Sequence, residues 1–117
     1  MKDYREFLVW QRSHALTLET YRPSKSFPRD ETFSLTSQMR RASSSIGANI
    51  AEGCGRDGDA ELKRFINIAL GSACELDNFI LLARDLGHLD VVSSARPAQE
   101  TLEIRKMLGA LVRKLKA

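Results

Sequence analysis

Polar side chains recur at steps of three and four residues between positions 38 and 56, and their types could support hydrogen-bond chemistry. In a helix, such steps place the side chains on one face, beside a stripe of small apolar residues. The polar stripe combines hydroxyl and amide groups with a single carboxylate, whereas a solvated helix face is usually a mixture of Lys and Glu. Such a composition suits a face that meets another protein surface. We predict a polar network where the second and third helices face each other or a neighbouring subunit, with one residue from the third helix: Gln38, Arg41, Ser45, Asn49, Glu52, Arg56 and Glu75.

Glu52 is the centre of this predicted network. A carboxylate held between arginines and an amide is oriented by charge-assisted hydrogen bonds, which are stronger than neutral ones. Such a cluster could hold a ligand or only fix the register of packed helices, and we favour the second role. The alternative that needs no partner is an ordinary solvated helix face.

The residue combinations that support catalysis or metal binding are missing from the sequence. No Glu-x-x-His pair is present for a di-metal site in a helix bundle, and Cys54 and Cys74 are too far apart for a zinc motif. The serines at 43–45 lack a neighbouring base, and the glycines at 53 and 55 lack the spacing of a phosphate-binding loop. We predict a protein that is not an enzyme and has no metal and no cofactor.

The two ends of the chain are basic and its middle is acidic, within a total net charge of +3. In a bundle the first and last helices are neighbours, so their cations could form one basic wall that meets the phosphates of RNA or DNA. Lys and Arg at the end of the last helix would equally suit its negative dipole end. The residues predicted for nucleic-acid binding are Lys2, Arg5, Arg12, Arg105, Lys106, Arg113, Lys114 and Lys116.

Four amphipathic stretches must position these side chains: 3–22, 28 to about 53, 60–85 and 91–116. Pro28 with the two acids that follow it indicates a helix start, and Asp90 is the expected cap of the last helix. Short turns between long helices favour an antiparallel up-down-up-down bundle. The fold class is therefore all-α, with residues 1–117 as a single domain.

Several local features carry further expectations. The apolar residues of the first helix include Phe7, Leu8, Trp10, Ala15, Leu16, Leu18 and Tyr21. Gly71 lies in the middle of the third helix, where we expect another helix to approach closely. Gly53 and Gly55 could adopt left-handed conformations at the end of the second helix. Both cysteines are expected to be small reduced apolar residues.

No apolar run reaches the ~20 residues of a membrane span, and the first residues are too charged for a signal peptide. We expect a cytoplasmic protein without a membrane partner.

The order of several short motifs resembles one known family. They are Phe7 and Trp10, Phe27-Pro28, Leu35 with Gln38-Met39-Arg40-Arg41-Ala42, Ser45-Ile46, Asn49-Ile50-Ala51-Glu52-Gly53, Gly55-Arg56, and Phe65, Ile68-Ala69, Gly71-Ser72 and Glu75-Leu76. This order is similar to the four-helix-bundle family encoded in intervening sequences of bacterial large-subunit (23S) ribosomal RNA genes. The sequence departs from the family pattern at Cys54, at Phe33-Ser34 and at Pro97.

The resemblance implies an up-down bundle that assembles into a ring-like homopentamer. Distant relatives in diversity-generating retroelements use a basic outer surface to bind nucleic acid and a reverse transcriptase. Two classes of function stay open on this basis. One is a nucleic-acid-associated accessory protein, and the other is a structural protein that binds another protein and has no nucleic-acid role.

Overall fold

A computed structural model describes residues 3–115 of the chain, so the predicted basic residues Lys2 and Lys116 lie outside the described part. The described residues form four helices and two short 3₁₀ turns, and no strand occurs among them. The all-α prediction is therefore confirmed. The elements are a 3₁₀ turn at Tyr4–Glu6, α1 at Leu8–Ser24, a 3₁₀ turn at Arg29–Glu31, α2 at Leu35–Cys54, α3 at Gly58–Asp85 and α4 at Val91–Lys114.

Two helix starts differ from the prediction. The first helix begins at Leu8 because Phe7 is extended and interrupts the residues predicted to be helical from position 3. The second helix begins at Leu35, seven residues after Pro28, because the acids after this proline form a 3₁₀ turn instead. The predicted cap of α4 is confirmed, since the Ser93 N–H donates to Asp90 Oδ1 at 2.6 Å.

The helices contact one another in cyclic order, α1 with α2, α2 with α3, α3 with α4, and α4 with α1. The Arg40 side chain near the start of α2 donates to Ser24 Oγ at the end of α1 at 2.8 Å. Gly53 at the end of α2 packs against Leu62 near the start of α3. These contacts are compatible with the predicted antiparallel up-down course.

The buried stripe of α1 differs from the apolar sector that the sequence predicts. It consists of Val9, Ser13, Leu16, Thr20 and Ser24, whereas Leu8, Leu18 and Tyr21 are 58%, 44% and 38% exposed. Ser13 Oγ donates to the Val9 carbonyl at 2.7 Å, and Thr20 Oγ1 donates to the Leu16 carbonyl at 2.8 Å. Because each hydroxyl is satisfied within its own helix, these polar residues can occupy core positions.

The glycines do not have the roles that we expected. The predicted close approach of a second helix at Gly71 is wrong within this chain, since an added Cβ would meet nothing within 4 Å. The close approach is at Gly53, where that atom would lie 2.9 Å from Phe65 Cβ. The left-handed glycines are Gly58 and Gly87, with φ of 81° and 82°, and not Gly53 or Gly55.

The cysteines differ in their surroundings. Cys54 is buried, and burial raises the pKa of its thiol. Cys74 is exposed on α3, and both cysteines are free.

One helix of the described residues, α3, is long and apolar enough to cross a membrane by length and composition alone, which the sequence expectation missed. The core helix of a bundle passes the same test. In this bundle Ile66, Ala69, Ala73, Leu76 and Ile80 of α3 are buried in the core.

Candidate interaction face on α2 and α3

Two residues of the predicted polar network, Ser45 and Asn49, lie where α2 and α3 meet, and Glu52 is not among them. Asn49 Nδ2 donates to the Ser45 carbonyl at 2.8 Å and to Ser45 Oγ at 3.0 Å. Ser72 Oγ of α3 also donates to Ser45 Oγ at 3.0 Å. Ser45 is therefore the residue that links the two helices. The prediction missed Ser72, although the unusual Gly-Ser pair in the middle of α3 was a signal for it.

The remaining predicted residues are outside this cluster in the single chain. Arg56 Nε donates to Glu52 Oε2 at 3.1 Å, and both side chains are about half exposed. The side chains of Gln38, Arg41 and Glu75 are exposed and make no hydrogen bond or ion pair with any residue from 3 to 115. One chain thus brings together only parts of the network, and contact with a neighbouring subunit stays a prediction.

The outer surface of α3 continues this face with apolar groups. Ile68 and Leu82 are each 42% exposed, and helical steps place them on the same side as Gly71 and Glu75. The open space above Gly71 lies next to Ser72 and therefore beside the Ser45 cluster. We call this surface the α2–α3 face, and its residues are the polar stripe of α2 together with Ile68, Gly71, Ser72, Glu75 and Leu82.

Four of the six cations of the predicted basic wall that lie within residues 3–115 are paired with carboxylates. Their partners lie within 4 Å: Arg5 with Asp3 at 2.9 Å, Arg12 with Glu100 at 2.6 Å, Arg105 with Asp77 at 3.6 Å, and Lys106 with Glu103 at 3.8 Å. Arg113 and Lys114 form no ion pair within residues 3–115. Within residues 3–115 the wall is therefore largely neutralised by its own acidic neighbours.

The pair of Arg12 and Glu100 joins α1 to α4 through two parallel hydrogen bonds. Arg12 Nε donates to Glu100 Oε2 at 2.8 Å, and Arg12 Nη2 donates to Glu100 Oε1 at 2.6 Å. These bonds lower the pKa of the Glu100 carboxyl below its ordinary value. The contact confirms that the first and last helices are neighbours.

We expect Glu100→Gln to lower the free energy of unfolding by about 1–2 kcal/mol at pH 7, between the values typical of exposed and buried charged hydrogen bonds. Since the folded pKa of Glu100 is below the unfolded value, the stabilisation is present above the unfolded pKa and is lost as the pH falls through the folded pKa. Urea unfolding at pH 7 and about pH 3 measures this difference, which should shrink at the lower pH.

Glu103→Gln is the matched control, because Glu103 lies 3.8 Å from Lys106 and more than a third of its side chain is exposed. Its carboxylate also accepts from Gln99 Nε2 at 3.0 Å, a hydrogen bond that the oxygen of a glutamine side chain can accept as well. Its effect should stay within about 0.5 kcal/mol. Equal losses for the two variants at pH 7 would contradict a structural role for the Arg12–Glu100 pair.

No group of three His, Cys, Asp or Glu side chains within residues 3–115 could hold a metal ion. The absence of a metal and of a cofactor stays a prediction.

The four helices and their cyclic contacts define an all-α protein of the four-helix-bundle class. The sequence model described as 23S rRNA-intervening sequence protein matches residues 5–110, and the chain belongs to that family.

A solved structure has a similar fold. It is a protein with unknown function from the S23 ribosomal protein family of Bacteroides thetaiotaomicron. The two chains are 24% identical, with a TM-score of 0.83, and the match covers 90% of this chain and 98% of the other. At this identity the likeness supports the fold alone. No curated protein matches the chain.

Proposed function

We propose that this chain is a non-catalytic protein that assembles with copies of itself into a closed oligomer through the α2–α3 face. The observation that carries the proposal is the open space at Gly71, in the middle of a 28-residue helix. A glycine in a helix interior costs about 1 kcal/mol relative to alanine. Gly47 and Gly53 have close neighbours inside the chain, and Gly71 has none. A second copy of the chain that packs against this face would explain why a glycine is present at position 71.

The composition of the α2–α3 face supports self-association. Ile68 and Leu82 offer apolar area, while Gln38, Arg41 and Glu75 offer hydrogen-bond donors and acceptors that have no partner within residues 3–115. Apolar area surrounded by polar groups is typical of protein interfaces. Identical subunits usually close into rings or dimers with point-group symmetry.

Five subunits are the number that the family resemblance implies, and we adopt it as part of the proposal. The mass of the particle in solution tests it, since five copies of the 13.1 kDa chain weigh roughly 65 kDa. A cytoplasmic location and the absence of a membrane partner stay predictions as well.

A nucleic-acid-associated role is the second candidate function, and two observations favour it. The family is named for an intervening sequence of 23S rRNA, and Arg113 and Lys114 at the end of α4 form no ion pair within residues 3–115. Four cations of the wall are already paired with carboxylates and are less available to phosphates, so we expect the binding of nucleic acid to be weak. If each subunit of an oligomer contributes the basic end of its α4, several weak contacts with one nucleic-acid strand add to a useful affinity.

We expect weak, salt-sensitive and sequence-tolerant binding of RNA or DNA, because Lys and Arg that meet phosphates do not identify bases. Replacing Arg113, Lys114 and Lys116 together by Glu should lower the affinity by at least about tenfold at 50 mM salt. Fluorescence anisotropy with labelled single strands at several salt concentrations measures both the affinity and its salt slope.

Unchanged binding by the triple variant with an intact oligomer would remove the basic wall as a nucleic-acid site. Binding that is undetectable even at low salt would favour the remaining alternative, a scaffold that binds another protein and has no nucleic-acid role.

A further inference from the structure

A groove lies between the end of α1 and the start of α2, outside the α2–α3 face apart from Arg41. It is open to solvent on one side and has a volume of about 450 Å³. We call it the α2 entry groove, and the side chains that matter in it are Tyr21, Phe33, Thr36, Ser37, Arg40 and Arg41. It combines cations, hydroxyls and aromatic rings, a set that the helix packing does not require.

Thr36 has a buried hydroxyl without a partner. The residue is 7% exposed, and its Oγ1 makes no hydrogen bond. The other buried hydroxyls within residues 3–115 all donate a hydrogen bond, for example Ser43 Oγ to the Arg40 carbonyl at 2.9 Å and Thr101 Oγ1 to the Pro97 carbonyl at 2.6 Å.

The position of Thr36 in α2 explains this difference. Thr36 is the second residue of α2, so no helical turn precedes it to supply a carbonyl four residues back. A helical threonine populates two χ1 positions, so this hydroxyl can turn toward a ligand in the groove that Thr36 lines.

The groove is positively charged. Arg41 is exposed and its side chain has no partner within residues 3–115. Arg40 donates through Nε to Ser24 Oγ at 2.8 Å and through Nη2 to the Tyr21 carbonyl at 3.4 Å, lies 4.8 Å from the Tyr21 ring centroid and has no carboxylate partner in the same range. Arg41 therefore keeps all its donors free for an anion, and Arg40 keeps those of Nη1.

The start of α2 adds backbone donors. The first N–H groups of a helix have no acceptor four residues back and favour negative charge. Ser34, at the cap position, does not satisfy them, because its Oγ donates to Glu31 Oε1 at 2.7 Å. Hydrogen bonds from Ser34, from His88 Nε2 at 2.9 Å and from the Leu35 N–H lower the pKa of the Glu31 carboxyl, so this carboxylate already occupies the first N–H of α2. The N–H groups that remain for an anion are those of Thr36 and Ser37.

The groove also offers an aromatic surface. Phe33 is 95% exposed, the highest exposure among the large apolar side chains of the described residues, and Tyr21 on the other side is 38% exposed. An exposed ring beside arginines is the arrangement on which nucleobases stack, since every base has a π-face and every nucleotide a phosphate.

We infer that the α2 entry groove binds a nucleotide, with its phosphate at Arg41, Thr36 and the start of α2 and its base against Phe33. The site is separate from the basic wall of α1 and α4, and it shares Arg41 with the α2–α3 face that we propose for self-association. The nucleotide is either a free mononucleotide or a unit of a single strand, and the two sources share this chemistry.

Calorimetric titration of the full chain tests the site with four probes: inorganic phosphate, adenosine, AMP and a ten-residue oligothymidylate. AMP or the oligonucleotide should bind more tightly than phosphate or adenosine, because only these two engage both halves of the groove. Binding of AMP identifies a free nucleotide as the ligand, and binding of the oligonucleotide alone identifies a strand.

Three variants locate the site. Arg41→Gln should weaken the binding by about tenfold, and Thr36→Val, which keeps the shape of the side chain, by about fivefold. Phe33→Ser should remove the preference over inorganic phosphate. Arg22→Gln is the matched control, because Arg22 is also exposed and without an ion pair within residues 3–115, and it lies outside both the groove and the basic wall. This control should bind like the wild type.

The particle mass of each variant is measured alongside, since Arg41 also belongs to the α2–α3 face. Absence of saturable binding of both AMP and the oligonucleotide at about 1 mM would overturn the inference. Equal losses for Arg41→Gln and Arg22→Gln, or full binding by both Thr36→Val and Phe33→Ser, would overturn it as well, whatever the oligomeric state.

Discussion

Gly53→Ala is expected to lower the free energy of unfolding by about 1–3 kcal/mol, the usual cost of an overpacked site. The added Cβ would lie 2.9 Å from Phe65 Cβ and 3.1 Å from Leu62 Cδ1. Unstrained carbon atoms stay about 3.5–4.0 Å apart. Because Phe65 Cβ is fixed to the backbone of α3, only a movement of one helix relative to the other relieves the contact.

Gly109→Ala in α4 is the matched control for this prediction. An added Cβ there would meet only the tip of the Arg113 side chain at 3.4 Å, which can move away. This substitution should therefore stabilise the protein by up to about 1 kcal/mol through helix propensity. Thermal unfolding should shift in opposite directions for the two variants, by about 4–8 °C for each kcal/mol. Shifts of the same sign would contradict the tight crossing of α2 and α3.

Ile68→Asp is expected to dissociate the oligomer while the single chain keeps its fold. Complete burial of an apolar side chain of this size contributes about 1.5–3 kcal/mol, and an unpaired carboxylate in the same place adds a further penalty. In a closed oligomer the residue occurs at every interface, so the dissociation constant should rise at least about a hundredfold. The fold should survive because Ile68 is 42% exposed in the single chain.

Leu18→Asp provides the comparison for Ile68→Asp. Leu18 is 44% exposed, but it lies on α1, away from the α2–α3 face. This variant should keep both the helical circular dichroism signal and the particle mass of the wild type. Dissociation by both variants, or by neither, would remove the α2–α3 face as the interface.

The sequence predicts the four helices well because long apolar periodicities and caps are local signals. Asp90 caps α4 as predicted, since a side-chain cap needs only a residue three positions away. The predicted start of α2 at Pro28 is wrong, because this proline and the acids after it suit a 3₁₀ turn as well as the first turn of an α-helix.

The buried face of α1 was predicted less well. Ser13 and Thr20 are polar residues, so a search for apolar residues at helical spacing leaves them out of the buried stripe. In the folded helix their hydroxyls are satisfied by carbonyls four residues earlier, which removes the cost of burying them. The pattern of apolar residues alone therefore could not show that Val9 is buried in the core and that its neighbour Leu8 is exposed.

The pairing of charges could not be predicted, since it depends on how two helices are rotated against each other. Arg12 and Glu100 are 88 residues apart in the chain, and their contact requires the facing sides of α1 and α4. The same holds for Ser45 and Ser72, which meet across two helices. The predicted stripe includes Ser45, but the sequence could not identify Ser72 as its partner on α3.

The particle mass of the wild-type chain in solution tests the proposed self-association most directly. Sedimentation velocity over a hundredfold range of protein concentration should give one species several times heavier than the 13.1 kDa chain, at roughly 65 kDa for a ring of five. A species of 13.1 kDa at every concentration would contradict the account, because the α2–α3 face would then stay exposed in the working protein.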